Sequence, residues 1–425
     1  MLKPEIEAAY TSILQEELVL ATGCTEPIAI AYAAAKLRQT LGALPQQITA
    51  EVSGNIIKNV KSVVVPNTGG LKGIEAAVAA GVVAGDADRE LQVISSVPPE
   101  RHQEIASYLA NTPIQVVCAD TPHILDIRLT GRAGGAQASV RIADRHSNIV
   151  EITKDGQVLL HKPLSDTEDG VQTDRGLLNL HDILTYAEQV PLEKVSALLD
   201  RQIQCNTAIA QEGLEHDWGA NIGSTILKEY GNDIKSEARA WAAAGSDARM
   251  SGCEMPVVIL SGSGNQGMTA SLPVIEYARD MGVDEEAMIR ALVVSDLVTI
   301  HQKTGIGRLS AFCGAVSAGC GAAAGIAYLK GGRYEVVAHT IANALAICSG
   351  MICDGAKPSC AAKIAAAVDA GLMGYYMYTT GSHQFVDGEG IIKKGVENTI
   401  DNVGRLAREG MRRTDEEILH IMVGQ

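Results

Sequence analysis

Cys313, Cys353 and Cys360 stand where sulfur can work rather than pack. Cys313 opens the Ala/Gly-rich run GAVSAGCGAAAGIAYL, and Cys353 and Cys360 bracket the turn CDGAKPSC. Each lies at or next to an expected helix start, with Pro358 at a favoured first helical position before the run Ser359 to Leu372. Unpaired backbone N–H groups and the positive end of a helix dipole lower a thiol's pKa and stabilise an anionic metal cluster. Thirty-nine residues between Cys313 and Cys353 allow one helix out and one back, and six between Cys353 and Cys360 allow a tight turn around a metal. The spacing is neither the four-cysteine ferredoxin run nor a paired CxxC zinc site. Burial in the core is the plainer reading of any single cysteine, and it is kept for Cys118, Cys205, Cys253, Cys320 and Cys348.

A fourth cysteine stands apart near the other end, in ELVLATGCTEPIAIAYAAAKLRQTLG. Thr25 is a cap residue for a helix beginning at Glu26-Pro27, so Cys24 is expected immediately before a helix N-terminus, with Gly23 giving the backbone room to turn. Such a thiol tends toward thiolate and suits three roles: metal ligand, general base or nucleophile.

Polar loops offer a grip for a small zwitterion. Ser53-Gly54-Asn55 follows the expected strand ITAEV, and Asn67-Thr68 follow the expected strand SVVV, so both loops are placed at one strand rim. Asn and Thr beside glycines hydrogen-bond a carboxylate or an ammonium, and they are equally ordinary turn formers. The loop Gly262-Ser263-Gly264-Asn265-Gln266-Gly267 follows the apolar run MPVVIL as a dinucleotide fingerprint would. The next strand with a terminal acid is missing, because MGVDEEAMIRALVVSDLVTIHQ has helical spacing. The loop is therefore read as a backbone cradle, with Ser263 and Asn265 as substrate contacts.

In this order, the segments TGCTEP, SGNIIKNVKSVVVPNTGG, SGSGNQG, CGAVSAGCGAA and MICDGAKPSC resemble the L-cysteine desulfidase and L-serine dehydratase alpha-chain-like family, from about Glu16 to Met377. The resemblance implies an iron–sulfur lyase without pyridoxal phosphate, which eliminates sulfide or water from a small amino acid to give pyruvate and ammonia. It implies a [4Fe–4S] cluster held by Cys313, Cys353 beside Asp354, and Cys360, with a shorter stretch between the last two than the family pattern has. In the desulfidase branch the TGCTEP cysteine is essential, so Cys24 competes with Cys360 for the third ligand position, and Cys360 is favoured. TGCTEP tilts the substrate toward L-cysteine, with L-serine as the alternative.

Three thiolates on four irons leave one iron open, a Lewis acid for the substrate carboxylate and its β-thiol or hydroxyl. A base must then take the α-proton near neutral pH. Cys24 is the first candidate, and Lys58 in GNIIKNVKS and His301 in TIHQKTG are the alternatives. Lys58 also suits neutralising the substrate carboxylate, and Thr25 and Glu26 flank Cys24 as further substrate contacts.

These groups need a large scaffold to bring them together. The chain has 425 residues, of which 46% are apolar, only 4% are aromatic and 43 are glycine, so its helices are expected to pack through small side chains. A formal charge of −15 disfavours nucleic acid and anionic membranes as partners. Nine cysteines, an odd count without a signal-peptide pattern, suit a reducing cytoplasm. The uncharged stretch Leu309 to Leu329 is too rich in Gly, Ser and Ala for a membrane span and is read as a buried central helix.

The expected fold class is α+β. Residues 1–90 form the N-terminal part of the catalytic domain, with 91–175 an inserted α+β module of mixed or antiparallel strands and 176–425 a mainly helical catalytic domain carrying the cysteine cluster. LQVISS, PIQVVCA, HILDIRLTG, AQASVRIA and NIVEITKDG are expected strands of the insert, around the helix PERHQEIASYLAN. A homo-oligomer is compatible with the composition. The rival classes are a zinc or cluster-free thiol enzyme using Cys24 as nucleophile and a helical binding protein.

Overall fold

The computed structural model describes residues 2–164, 173–307 and 309–424. Residues 165–172, at the end of the expected insert, lie outside the described residues. The fold is α+β: a helical majority, a six-stranded mixed sheet and a two-stranded antiparallel sheet.

The small sheet pairs β1 (Val19–Thr22) with a strand more than two hundred residues away. The large sheet is built from β2 (Gln47–Val52), β3 (Ile114–Cys118), β4 (Asp126–Ala133), β5 (Ala136–Ala143), β6 (Ile149–Lys154) and β7 (Gln157–His161), in the order β3-β2-β4-β5-β6-β7. Only β2 and β3 run parallel. Alternation places Ile48, Ala50 and Val52 of β2 with Ile127 and Leu129 of β4 on one buried face. The helices Thr25–Leu41 and Gly73–Ala84 complete this core, which joins residues 28–149 and so draws on both sides of residue 90. Their contact uses small residues, as the composition implied. A Cβ on Gly81 would come within 2.1 Å of the Ala31 carbonyl oxygen.

A second core joins the first helix, Pro4–Glu17, to the helices that follow Leu178. β8 (Pro256–Ile259) pairs with β1 inside it, and the helices Ile234–Met250, Gly264–Met281, Glu285–Ile306 and Gly314–Leu329 form its centre. Gly314–Leu329 is buried along nearly its whole length, and no helix among the described residues is long and apolar enough to cross a membrane. The terminal helix Arg412–Val423 returns to the first unit, where Leu419 fills the space beside Gly54 and Asp415 pairs with Lys58.

Two expected strands are not strands. LQVISS runs from the 3-10 turns of Ala87–Gln92 into further turns, and SVVV makes only the isolated bridge between Val64 and Lys72. Both are short apolar runs, and burial alone does not separate a strand from a packed turn. Three strands were not expected, among them β8 in the run MPVVIL, which was read only as apolar. β1 was hidden by its four-residue length, and β7 pairs at the sheet edge with Val158 and Leu159 exposed.

Candidate functional site

One cavity of about 110 Å³ lies where the two cores meet, and Cys24, Cys313, Cys353 and Cys360 all line it. Cys24 is the N-cap of Thr25–Leu41. Gly23 makes the approach feasible: its φ is +72°, and a Cβ there would stand 2.2 Å from the Pro66 ring. Cys313 is the N-cap of Gly314–Leu329, and Cys360 is the first residue of the helix Cys360–Gly381. Cys313 and Cys353 are brought side by side by backbone pairing. Cys313 N–H donates to Met351 O at 3.0 Å, Cys353 N–H to Ala311 O at 2.6 Å, and Phe312 bridges Ile352 between them. The turn to Cys360 is fastened by Asp354, which pairs with Lys357 and Lys363. Partial burial works against its charge, yet the hydrogen bonds from the two lysines hold the Asp354 carboxyl at about 2.

All four cysteines occupy the helix-start and turn positions expected of them, but three of the thiols titrate the opposite way from the expectation. Burial pushes Cys24 up to about 12 against the opposing charge of Arg249. Burial, and then the neighbouring Cys353, push Cys313 up to about 12, and burial also raises Cys360. Desolvating a thiolate at a nearly water-free helix start outweighs what the helix dipole returns. Thiols raised in this way hold their protons near neutral pH, and a metal taken up here would have to displace them.

Among the described residues no three His, Cys, Asp or Glu side chains stand as a ready ligand set for one ion. The donor chemistry nevertheless suits a cluster. Thiolates are the donors iron–sulfur clusters take, and Cys313, Cys353 and Cys360 share one cavity wall and influence one another electrostatically.

Of the residues read from the sequence as substrate contacts, Thr25, Glu26, Ser263 and Asn265 line the cavity. Thr25 Oγ1 donates to Gly262 O at 3.0 Å, tying the TGCTEP segment to the SGSGNQG loop, and Glu26 accepts from Asn59 Nδ2 at 3.1 Å. That loop is a tight turn after β8, with Ser261 at φ 48° and Gly262 at φ 77° and reciprocal backbone bonds between Leu260 and Ser263. The turn delivers Ser263 and Asn265 to the cavity.

The other candidates lie off the cavity wall. Ser53 Oγ donates to Ile124 O at 2.7 Å, Asn67 Nδ2 to Ile94 O at 2.9 Å, and Thr68 Oγ1 to Val65 O at 2.6 Å, all turn-fastening bonds. Asn55 Oδ1 is buried without a hydrogen-bond partner. Lys58 is committed to Asp415 and faces a separate pocket with Asp354 and Lys357. His301 Nε2 meets Glu397 at 2.6 Å.

Sequence reasoning missed Arg249, Gln266, His146 and Lys303, which also line the cavity. Gln266 stood inside the quoted SGSGNQG loop. Arg249 sits in the last turn of Ile234–Met250, where a base reads as a solvated complement to the helix dipole. His146 and Lys303 lie in segments with no local signal.

A helical unit docked on a mixed sheet, with cysteines from both gathered at one place, forms a thiol-lined cavity. The chain belongs to the serine dehydratase alpha chain family, whose model matches residues 88–420. It is 59% identical over 416 residues to a UPF0597 protein of Desulfitobacterium hafniense (strain Y51), covering 98% of this chain and 96% of the relative. It is also 48% identical over 420 residues to a UPF0597 protein of Treponema denticola, covering 97% of each. A UPF0597 protein of Lachnoclostridium phytofermentans is 50% identical over 411 residues, covering 97% of this chain and 98% of the relative. The family agrees with the dehydratase side of the resemblance carried by the five segments.

Proposed function

We propose that the protein is an iron–sulfur lyase that eliminates the β-substituent of a small L-amino acid, giving pyruvate and ammonia without pyridoxal phosphate. The observation that carries this reading is the convergence of Cys24 with Cys313, Cys353 and Cys360 on one cavity. In this reading Cys313, Cys353 and Cys360 would hold a [4Fe–4S] cluster, which would supply Lewis acidity toward the leaving β-group. Cys24 faces the same cavity as the group that takes the α-proton; burial raises its thiol to about 12 against the Arg249 charge, so it would act as a base only after giving up its own proton when substrate and cluster are bound. Thr25, Glu26, Ser263 and Asn265 supply the polar wall that orients the substrate. Loss of the α-proton and the β-group leaves an aminoacrylate, which water converts to pyruvate and ammonia with no net electron transfer.

L-cysteine is the favoured substrate, on the TGCTEP segment, with sulfide as co-product. The family description favours the second reading, L-serine with loss of water. Nine cysteines without a disulfide among the described residues suit a reducing cytoplasm.

The test is anaerobic purification and reconstitution, followed by iron and sulfide analysis and pyruvate release from both amino acids in one preparation. About four irons per chain with faster release from cysteine supports the first reading, and faster release from serine the second. Iron-free protein that releases pyruvate from neither overturns both.

A further inference from the structure

We infer that Arg249 and Gln266 form a built receptor for the zwitterionic end of an α-amino acid, Arg249 taking the carboxylate and Gln266 the ammonium. The inference rests on the proposed function in placing substrate in the cysteine-lined cavity, and it deepens that reading by naming how the substrate class is recognised.

Both side chains line the cavity and both are more than nine-tenths buried, with Arg249 4% and Gln266 6% exposed. Among the described residues Arg249 Nε and Gln266 Oε1 are buried polar atoms without hydrogen-bond partners. A buried donor and a buried acceptor left unmet are costly, and a ligand carrying the complementary groups removes both costs at once. Arg249 is also, among the described residues, a cation without a counter-charge. Among the described residues its guanidinium donates to neutral acceptors, Gly23 O at 2.9 Å and Asn265 Oδ1 at 3.2 Å. These two bonds fix the guanidinium and leave Nε for a carboxylate. Glu26, the carboxylate on the same wall, accepts from Asn59 and Thr25 instead.

The backbone makes room for each group. A Cβ on Gly264 would come 2.4 Å from Arg249 Nε and 2.7 Å from its Cζ. A Cβ on Gly314 would come 2.6 Å from Gln266 Cδ and 2.9 Å from Oε1. Gly264 of SGSGNQG and Gly314 after Cys313 are thus accounted for by the two side chains they admit. An unmet donor, an unmet acceptor and thiols on residues that line one cavity fit an α-amino acid better than a simple carboxylic acid or amine.

The test uses L-alanine, which carries the zwitterion without a β-leaving group, and propionate, which lacks the ammonium. Binding of each is measured by calorimetry to the reconstituted full-length protein and to Arg249→Gln and Gln266→Leu, with folding checked by circular dichroism. Expected is a loss of about 10- to 100-fold for both probes in R249Q, the range for a hydrogen bond to a charged group. In Q266L, L-alanine binding should fall about 10-fold while propionate binding stays unchanged. If R249Q does not fold, Q266L decides alone by the contrast between the probes. Wild-type affinity for L-alanine in a folded variant, or no binding of L-alanine to the wild type, overturns the receptor. If pyruvate is still released from cysteine or serine in that case, the lyase reading survives it. No pyruvate from either amino acid, with L-alanine still bound, sinks the lyase reading and leaves the receptor standing.

Discussion

Lys58 and Asp415 form an ion pair across 357 positions of the chain, joining the short helix Gly54–Val60 to the terminal helix Arg412–Val423. The lysine is 2% exposed and its partner 18%, so the pair is shielded from solvent on one side. Removing one partner of such a pair strands the other charge. Asp415→Asn should lower unfolding stability by about 3 kcal/mol, measured by denaturant titration. A loss below about 1 kcal/mol, the range of surface pairs, would show that the lysine reaches water in solution.

The cysteines separate by role in the proposed site. Serine in place of Cys313, Cys353 or Cys360 should each abolish bound iron after anaerobic reconstitution, whereas Cys24→Ser should keep iron and lose pyruvate release. Iron analysis and the pyruvate assay on the four variants check this. Loss of iron in Cys24→Ser with retention in Cys360→Ser would exchange the two assignments.

Small-residue packing makes an equally sharp expectation. Gly81→Ala places a methyl group within 2.1 Å of the Ala31 carbonyl oxygen, where only backbone movement relieves the clash. The variant should be destabilised by about 3 kcal/mol, read as a lower denaturation midpoint at unchanged slope.

Asp296 gives the fold a pH dependence of its own. It lies fully buried on Glu285–Ile306, accepting from Gln202 Nε2 at 3.1 Å, and burial pushes its carboxyl up to about 7 against that hydrogen bond. A carboxyl raised in the fold keeps its proton at pH values where the unfolded chain has lost it. Between about pH 4 and pH 7 the native state therefore binds the extra proton, and stability falls as pH rises. Relative to Asp296→Asn, the wild type should lose up to about 1.4 kcal/mol per pH unit across this window and level off above it. Parallel pH profiles for the two proteins would mean the carboxyl titrates normally.

The helix starts that carry the cavity's cysteines were legible in the sequence because their signals were local. A glycine before Cys24, a proline before Cys360 and the small-residue run after Cys313 each mark a helix start, and each helix starts there or at the next residue. The meeting of Cys24 with the C-terminal cysteines was an inference from chemistry, and the cavity between the two cores provides it. Long-range facts were hidden. The pairing of Val19–Thr22 with Pro256–Ile259 has no short-range sign, and the thiol pKa values depend on water exclusion by elements far along the chain. Asn67 and Thr68 show the converse error. Their residue types suit both a ligand and a turn, and their side chains are bonded to neighbouring backbone carbonyls. Arg249 was passed over because a base in a helix's last turn usually faces solvent, whereas this one turns inward beneath Gly264.

The distribution of the four cysteines also sets an order of events during biosynthesis. Cys24 belongs to the sheet unit's first helix, while Cys353 and Cys360 emerge only when most of the chain has been translated. A half-made polypeptide has no complete thiol wall, so loading of the proposed cluster would have to follow synthesis of the C-terminal helices. Under the proposed function the same arrangement would make iron occupancy a readout of whether a given molecule has finished docking its two halves.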